Sequence, residues 1–189
     1  MTAPRLPKLT PADLDEDQLA LYHRIVSGPR AGGPQHFALQ DRDGALNGPF
    51  GVMLHGPALG DPLQELGAAI RYRTTLSDRV REIAVLTVAT ATGSAFERHA
   101  HEPIARAAGL TDAELAGLRD GTFTGGDPAE AMAHALCARL LDGDDALTDA
   151  EYREAAAALG REGVLELVVL AGYYRTLAQM MNVFGISEV

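Results

Sequence analysis

Apolar residues recur at helical spacing along nearly all of the chain, and each run stops at a glycine, a proline or a capping residue. Thr10-Pro11-Ala12-Asp13 joins an N-cap residue to a proline at the first helical position and an acid in the first turn. It predicts a helix that turns Leu14, Leu21, Tyr22, Ile25 and Val26 inward and ends at Ser27-Gly28-Pro29. Residues 28–49 hold no sustained period and exceed the usual connection in a compact domain. They are expected either to lid a pocket or to wrap the surface with Phe37 and Leu39 tucked in. A short helix over 50–55 and a longer one over 58–72 follow, the latter with Leu63, Leu66, Ala69 and Ile70 as its stripe and Pro62 near its start.

The centre of the pattern is residues 77–109, two helical runs joined by Thr92-Gly93. The first, capped by Ser77, has Val80, Ile83, Ala84, Leu86, Thr87 and Val88 on a buried face; the second begins at Ser94. Three further helix starts have capping-box form: Thr111 with Glu114, Asp127 with Glu130 after Pro128, and Thr148 with Glu151. A last helix from about Arg161 to Phe184 is apolar over much of its circumference, through Leu165, Val168, Val169, Gly172, Leu177 and Met181, which suits a central position or a subunit contact. No stretch alternates long enough for a strand, so the expected class is all-α. Residues 164–170 echo residues 80–86, each with one glutamate, Glu166 or Glu82, in an apolar helix.

Three polar residues interrupt the central pattern. Glu82 lies among Ile83, Val85 and Leu86 and must reach the helix edge or find a buried partner. Glu97 and His101 are four apart and leave one face of the second helix, so an antiparallel hairpin would bring all three together. A histidine controlled by two carboxylates suits general acid-base work. The plainer alternative is that Glu97 bonds the amide of Ser94 in a capping box and His101 is a satisfied core residue. His99 points to another face, which leaves it outside the cluster and argues against a metal site with His101.

Composition narrows the classes. The 189 residues contain no tract of linker composition, so one domain is expected over 1–189, with an extended arm over 1–10. A net charge of -10 argues against nucleic acid and anionic membrane as partners. Cys137 is the only cysteine and lies in an apolar stripe with Leu136 and Leu140, so it is expected in the core and nothing requires an oxidising compartment. The start has prolines and charges where a signal peptide has its apolar run, and residues 164–174 are too short to span a bilayer, so a cytoplasmic location is expected. Asp142-Gly143-Asp144-Asp145 does not continue as a calcium loop, and no phosphate-binding or nucleophile-elbow motif occurs.

The run from Glu82 to Gly109, with Glu97 and His101 followed by Pro103-Ile104-Ala105-Arg106-Ala107-Ala108-Gly109, resembles the carboxymuconolactone decarboxylase family of the alkylhydroperoxidase D-like superfamily. Asn47-Gly48-Pro49-Phe50, Arg71-Tyr72-Arg73 and Gly172-Tyr173-Tyr174 with Asn182 are similar to features of the same family. The resemblance implies an all-α bundle and a homotrimer or homohexamer. The peroxidase branch carries a glutamate, a CxxC pair and a histidine, and this places Glu82 at the glutamate, Ser94 and Glu97 at the cysteines, and His101 at the histidine. Without the two thiols the peroxidase reaction of that branch is lost. The expectation is a cofactor-independent acid-base lyase, a decarboxylase acting on a small carboxylated lactone or keto acid, with His101, Glu97 and Glu82 catalytic. Arg73 or Arg81 would hold a substrate carboxylate, and Tyr173 and Tyr174 would line the pocket. The rival expectation is a non-catalytic helical oligomer or binding protein.

Overall fold

The computed structural model describes residues 5–28, 37–143 and 146–186. Residues 1–4 of the expected arm, residues 29–36 of the long loop expected as a lid or a surface wrap, and Asp144 and Asp145 lie outside the described residues. Eight α-helices form among the described residues: α1 (Glu16–Val26), α2 (Pro49–Met53), α3 (Pro57–Tyr72), α4 (Asp78–Thr92), α5 (Ala95–Ala107), α6 (Asp112–Asp120), α7 (Pro128–Asp142) and α8 (Asp149–Phe184). The only strand-like pairing described is an isolated bridge between Gln40 and Leu46, so the all-α class holds. Packing divides the chain into two compact units, residues 1–72 with 179–189, and residues 73–178.

In the first unit, two helices depart from the periodic reading. Thr10 opens only a 3-10 turn, Pro11–Asp13, and α1 starts afresh behind Asp15. The reason is a second box: Asp15 accepts from Gln18 N at 2.9 Å while the Gln18 side chain accepts from Asp15 N at 3.0 Å. Leu14 therefore falls outside the helix, and Leu21, Tyr22 and Ile25 form its buried face. On α3 the buried positions are Gly60, Gly67, Ala68 and Ile70, whereas Leu66 is exposed. A side chain at Gly60 would start 2.5 Å from the Met53 carbonyl and 2.9 Å from Leu21 Cδ2, so only the smallest residue fits so close a contact.

The second unit is built around α4, which packs against α5, α6 and α7. Ser77 Oγ caps it by accepting from Val80 N at 3.2 Å, and Gly93 closes it in the left-handed region at φ 64°. Ile83, Val85, Leu86 and Val88 are buried, each contributing ~1.5–3 kcal/mol of apolar burial. Arg79, at the start of α4, pins its neighbours: it donates to Glu130 on α7 at 2.6 and 3.1 Å, to Glu114 on α6 at 2.6 Å, and to the Gly109 carbonyl at 2.5 Å. Helix α8 breaks at Gly160 (φ 72°, ψ 165°), which separates the two helical runs expected from Thr148 and Arg161. Past the break, Leu165 and Val168 remain exposed. No helix among the described residues is long and apolar enough to cross a membrane.

Candidate active site

Glu82 and His101 meet across the α4–α5 hairpin. The Thr92-Gly93 turn folds α5 back along α4, and Glu82 Oε2 lies 2.7 Å from Nδ1 of His101. The carboxylate is an acceptor, so Nδ1–H donates and the proton of the neutral ring is fixed on that nitrogen. The side chains of Glu82 and His101 are 1% and 9% exposed, so the bond forms in a water-poor site where charge-assisted hydrogen bonds are strong.

The other ring nitrogen, Nε2, is held less closely. His101 Nε2 has Glu97 Oε2 at 3.5 Å and the Tyr174 hydroxyl at 3.4 Å, both longer than a well-formed hydrogen bond. Tyr174 meets the imidazole edge-on, with ring centroids 5.2 Å apart, and Tyr173 stands against Tyr174 at 5.3 Å in the same manner. Three elements thus supply the site: α4 gives Glu82, α5 gives Glu97 and His101 one turn apart, and α8 gives Tyr174.

The two roles weighed for Glu97 separate in the structure. Ser94 caps α5, its Oγ accepting from Glu97 N at 3.3 Å, but the Ser94 amide donates to the Ala89 carbonyl at 2.9 Å. The Glu97 carboxylate faces His101. Half of the predicted box forms, and the acidic half belongs to the cluster.

The other candidates divide by position. Arg81 is largely buried, with Nη2 paired to Asp78 and Nε 3.8 Å from Glu82 Oε1. Arg73 is exposed in the turn preceding α4, and His99 is exposed on the far side of α5. Cys137 is wholly buried on α7, and burial pushes its thiol up to about 12. Glu166, the echo of Glu82, instead accepts from the Thr75 amide and hydroxyl at 2.8 Å each, bracing the turn before α4.

One buried polar contact escaped the sequence reading. The Thr87 hydroxyl donates to Ile83 O at 2.7 Å and accepts from His134 Nδ1 at 2.9 Å, tying α4 to α7. Burial holds the His134 imidazole below its ordinary range, which favours the neutral ring. Thr87 inside an apolar helix was the available signal; its partner, 47 positions away, was not readable. Elsewhere, in the first unit, a pocket of about 90 Å³ is lined by Leu6, Leu9, Leu46, Val52 and Ile186 with Lys8 and His55. Lys8 there pairs with Asp41, and His55 contacts the Pro7 carbonyl. None of the predicted site residues lines it.

Comparison with known proteins agrees with the hairpin. Residues 57–138 match the model of the Carboxymuconolactone decarboxylase family, a span containing Glu82, Glu97 and His101. The fold is similar to that of a solved structure from Ralstonia eutropha JMP134, described as an alkylhydroperoxidase AhpD core and an uncharacterized peroxidase-related protein. The TM-score is 0.74 at 14% identity, covering 98% of this chain and 92% of that chain. No curated protein sequence matches the chain. Residues 57–138 thus resemble the carboxymuconolactone decarboxylase family, and the chain has the fold of the alkylhydroperoxidase AhpD core structure.

Proposed function

We propose that the protein is a cofactor-independent acid-base lyase that decarboxylates a small carboxylated lactone or keto acid. The observation that carries this reading is the 2.7 Å bond from His101 Nδ1 to Glu82, which orients the ring and directs Nε2 towards Glu97 and Tyr174. In decarboxylation the bond to the carboxylate carbon breaks and carbon dioxide leaves. The electron pair passes into the adjacent carbonyl system as an enolate or dienolate. His101, protonated on Nε2, delivers that proton to carbon and regains one from solvent. Glu82 stabilises the imidazolium, Glu97 sets the local charge, and the Tyr174 hydroxyl donates to the developing enolate oxygen.

A thiol peroxidase, the reading suggested by the description of the Ralstonia protein, has little to work with in this chain. The one cysteine, Cys137, is a buried thiol pushed up to about 12, and the family resemblance places Ser94 and Glu97 where the peroxidase branch has its cysteine pair. Self-association as a trimer or hexamer is supported by the exposed Leu165 and Val168 on α8, and light scattering tests it.

Carbon dioxide release from a panel of carboxylated lactones and keto acids tests the main reading. Turnover is expected to fall by about 10²–10⁴ in His101→Ala and to be unchanged in Cys137→Ala. Release that survives His101→Ala overturns the assignment, and release from no compound favours a non-catalytic binding protein.

A further inference from the structure

The carboxylate that orients His101 has a neighbour of its own. Glu82 accepts from His101 with Oε2, and its other oxygen, Oε1, lies 3.8 Å from Nε of Arg81. Arg81 precedes Glu82 on α4, and its side chain is only 11% exposed. Nε is fully buried and has no hydrogen-bond acceptor among the described residues. A buried guanidinium N–H is costly to leave without an acceptor, so its retention calls for a compensating interaction. The outer end is tethered: Nη2 pairs with Asp78, one turn earlier on the same helix and exposed. That tether turns the Nε edge inward, towards Glu82.

We propose that Arg81 is a positioning residue for His101, whose guanidinium holds Glu82 as the anion that keeps a proton on Nδ1 and leaves Nε2 for the substrate. The proposal rests on the acid-base reading of the site given above. The groups that face the imidazole are Glu82 from α4, Glu97 from α5 and Tyr174 from α8, with Arg81 behind Glu82. Counted with both carboxylates ionised, the set has two negative charges and one positive charge besides the ring. A proton on Nε2 then brings it to neutrality. Without Arg81 the set has an excess negative charge, and Glu82 competes with His101 for the proton it should leave on Nδ1. The same geometry argues against Arg81 as the receiver of a substrate carboxylate. Bidentate capture needs two parallel N–H groups of the fork, and here Nη2 is paired to Asp78 while Nε faces Glu82.

The test compares Arg81→Met, which removes the charge and keeps the stem, with Arg81→Lys, which keeps the charge. Nitrogen-detected NMR of the His101 ring across pH, on substrate-free protein, reports the Glu82–His101 pair whether or not a substrate is known. In Arg81→Met the pair is expected to release its proton at a higher pH than in the wild type, since a nearby cation has gone. Arg81→Lys is expected to recover at least half of that shift. Should Arg81→Met not fold, Arg81→Gln serves in its place. An unmoved or lowered midpoint overturns the proposal, as does a lysine variant that behaves like the methionine one. With a substrate in hand, kcat should fall in Arg81→Met while KM stays within about twofold. A raised KM at unchanged kcat would assign Arg81 to the substrate and overturn the proposal. A panel that yields no carbon dioxide would overturn the lyase reading alone, because the NMR comparison is independent of turnover.

Discussion

Helix α4 carries two ionic clusters three residues apart, one around Arg79 and one around Glu82. Each gathers two carboxylates about a basic side chain, and they differ in how completely their bonds are made. Arg79 uses Nε, Nη1 and Nη2 at 2.5–3.1 Å on Glu114, Glu130 and the Gly109 carbonyl, and joins α4 to α6 and α7. His101 makes one bond of 2.7 Å, to Glu82, and meets Glu97 and Tyr174 at 3.5 and 3.4 Å. The first cluster is saturated and stabilises the fold. The second is anchored at one nitrogen and loose at the other, which is what the proposed acid-base role calls for before a substrate binds.

Paired isosteric substitutions strain this contrast most. Glu130→Gln breaks a bidentate bond to Arg79 and is expected to cost about 2–3 kcal/mol, less than a fully buried pair because the Arg79 side chain is 29% exposed. Glu97→Gln is expected to change stability by less than about 1 kcal/mol while lowering turnover at least about tenfold. Thermal denaturation of both proteins decides it, and equal losses of Tm would erase the distinction.

Acid sharpens the comparison at smaller amplitude. The Thr111 backbone amide, and then Arg79, lower the Glu114 carboxyl from 4.5 to about 2. A carboxyl depressed in the folded state stabilises fully above its unfolded value and loses that contribution as pH falls towards its folded one. Denaturant titrations between about pH 4.5 and 2 should therefore show stability declining, with a shallower decline in Glu114→Gln. The smallest effect concerns the cap of α5. Ser94→Ala should cost about 1 kcal/mol and leave turnover within about twofold. A collapse in turnover would show that Glu97 needs the cap to face His101.

The capping boxes show how far the sequence could be read. Thr111, Asp127, Thr148 and Ser94 each start a helix where the pattern placed one, because a cap is satisfied within a single turn. The carboxylates three residues later fared differently. Glu114 and Glu151 bond back as expected, at 2.7 and 2.6 Å. Glu130 turns to Arg79, 51 positions away, and Glu97 turns to His101. Local hydrogen bonds follow from spacing, whereas a distant charged partner enters only once the helices have packed. The approach of Glu82 to His101 was legible for a related reason: a buried acid in an apolar run demands a partner, and the turn at Gly93 offered one. The Arg81 contact with Glu82 was not legible, since an arginine beside an acid on one helix is more often a solvated pair.

Cys137 has a use unconnected with turnover. It is the chain's one sulfhydryl, wholly enclosed by the core, with its thiol raised to about 12. A maleimide at neutral pH can reach it only when α7 comes away from its neighbours, so each labelled molecule records one opening event. Mass spectrometry of a timed reaction would count those events directly, making the native protein its own stopwatch for unfolding. A cysteine introduced on the surface would label far ahead of it, so a fluorophore can be attached at a chosen position without first removing the natural one.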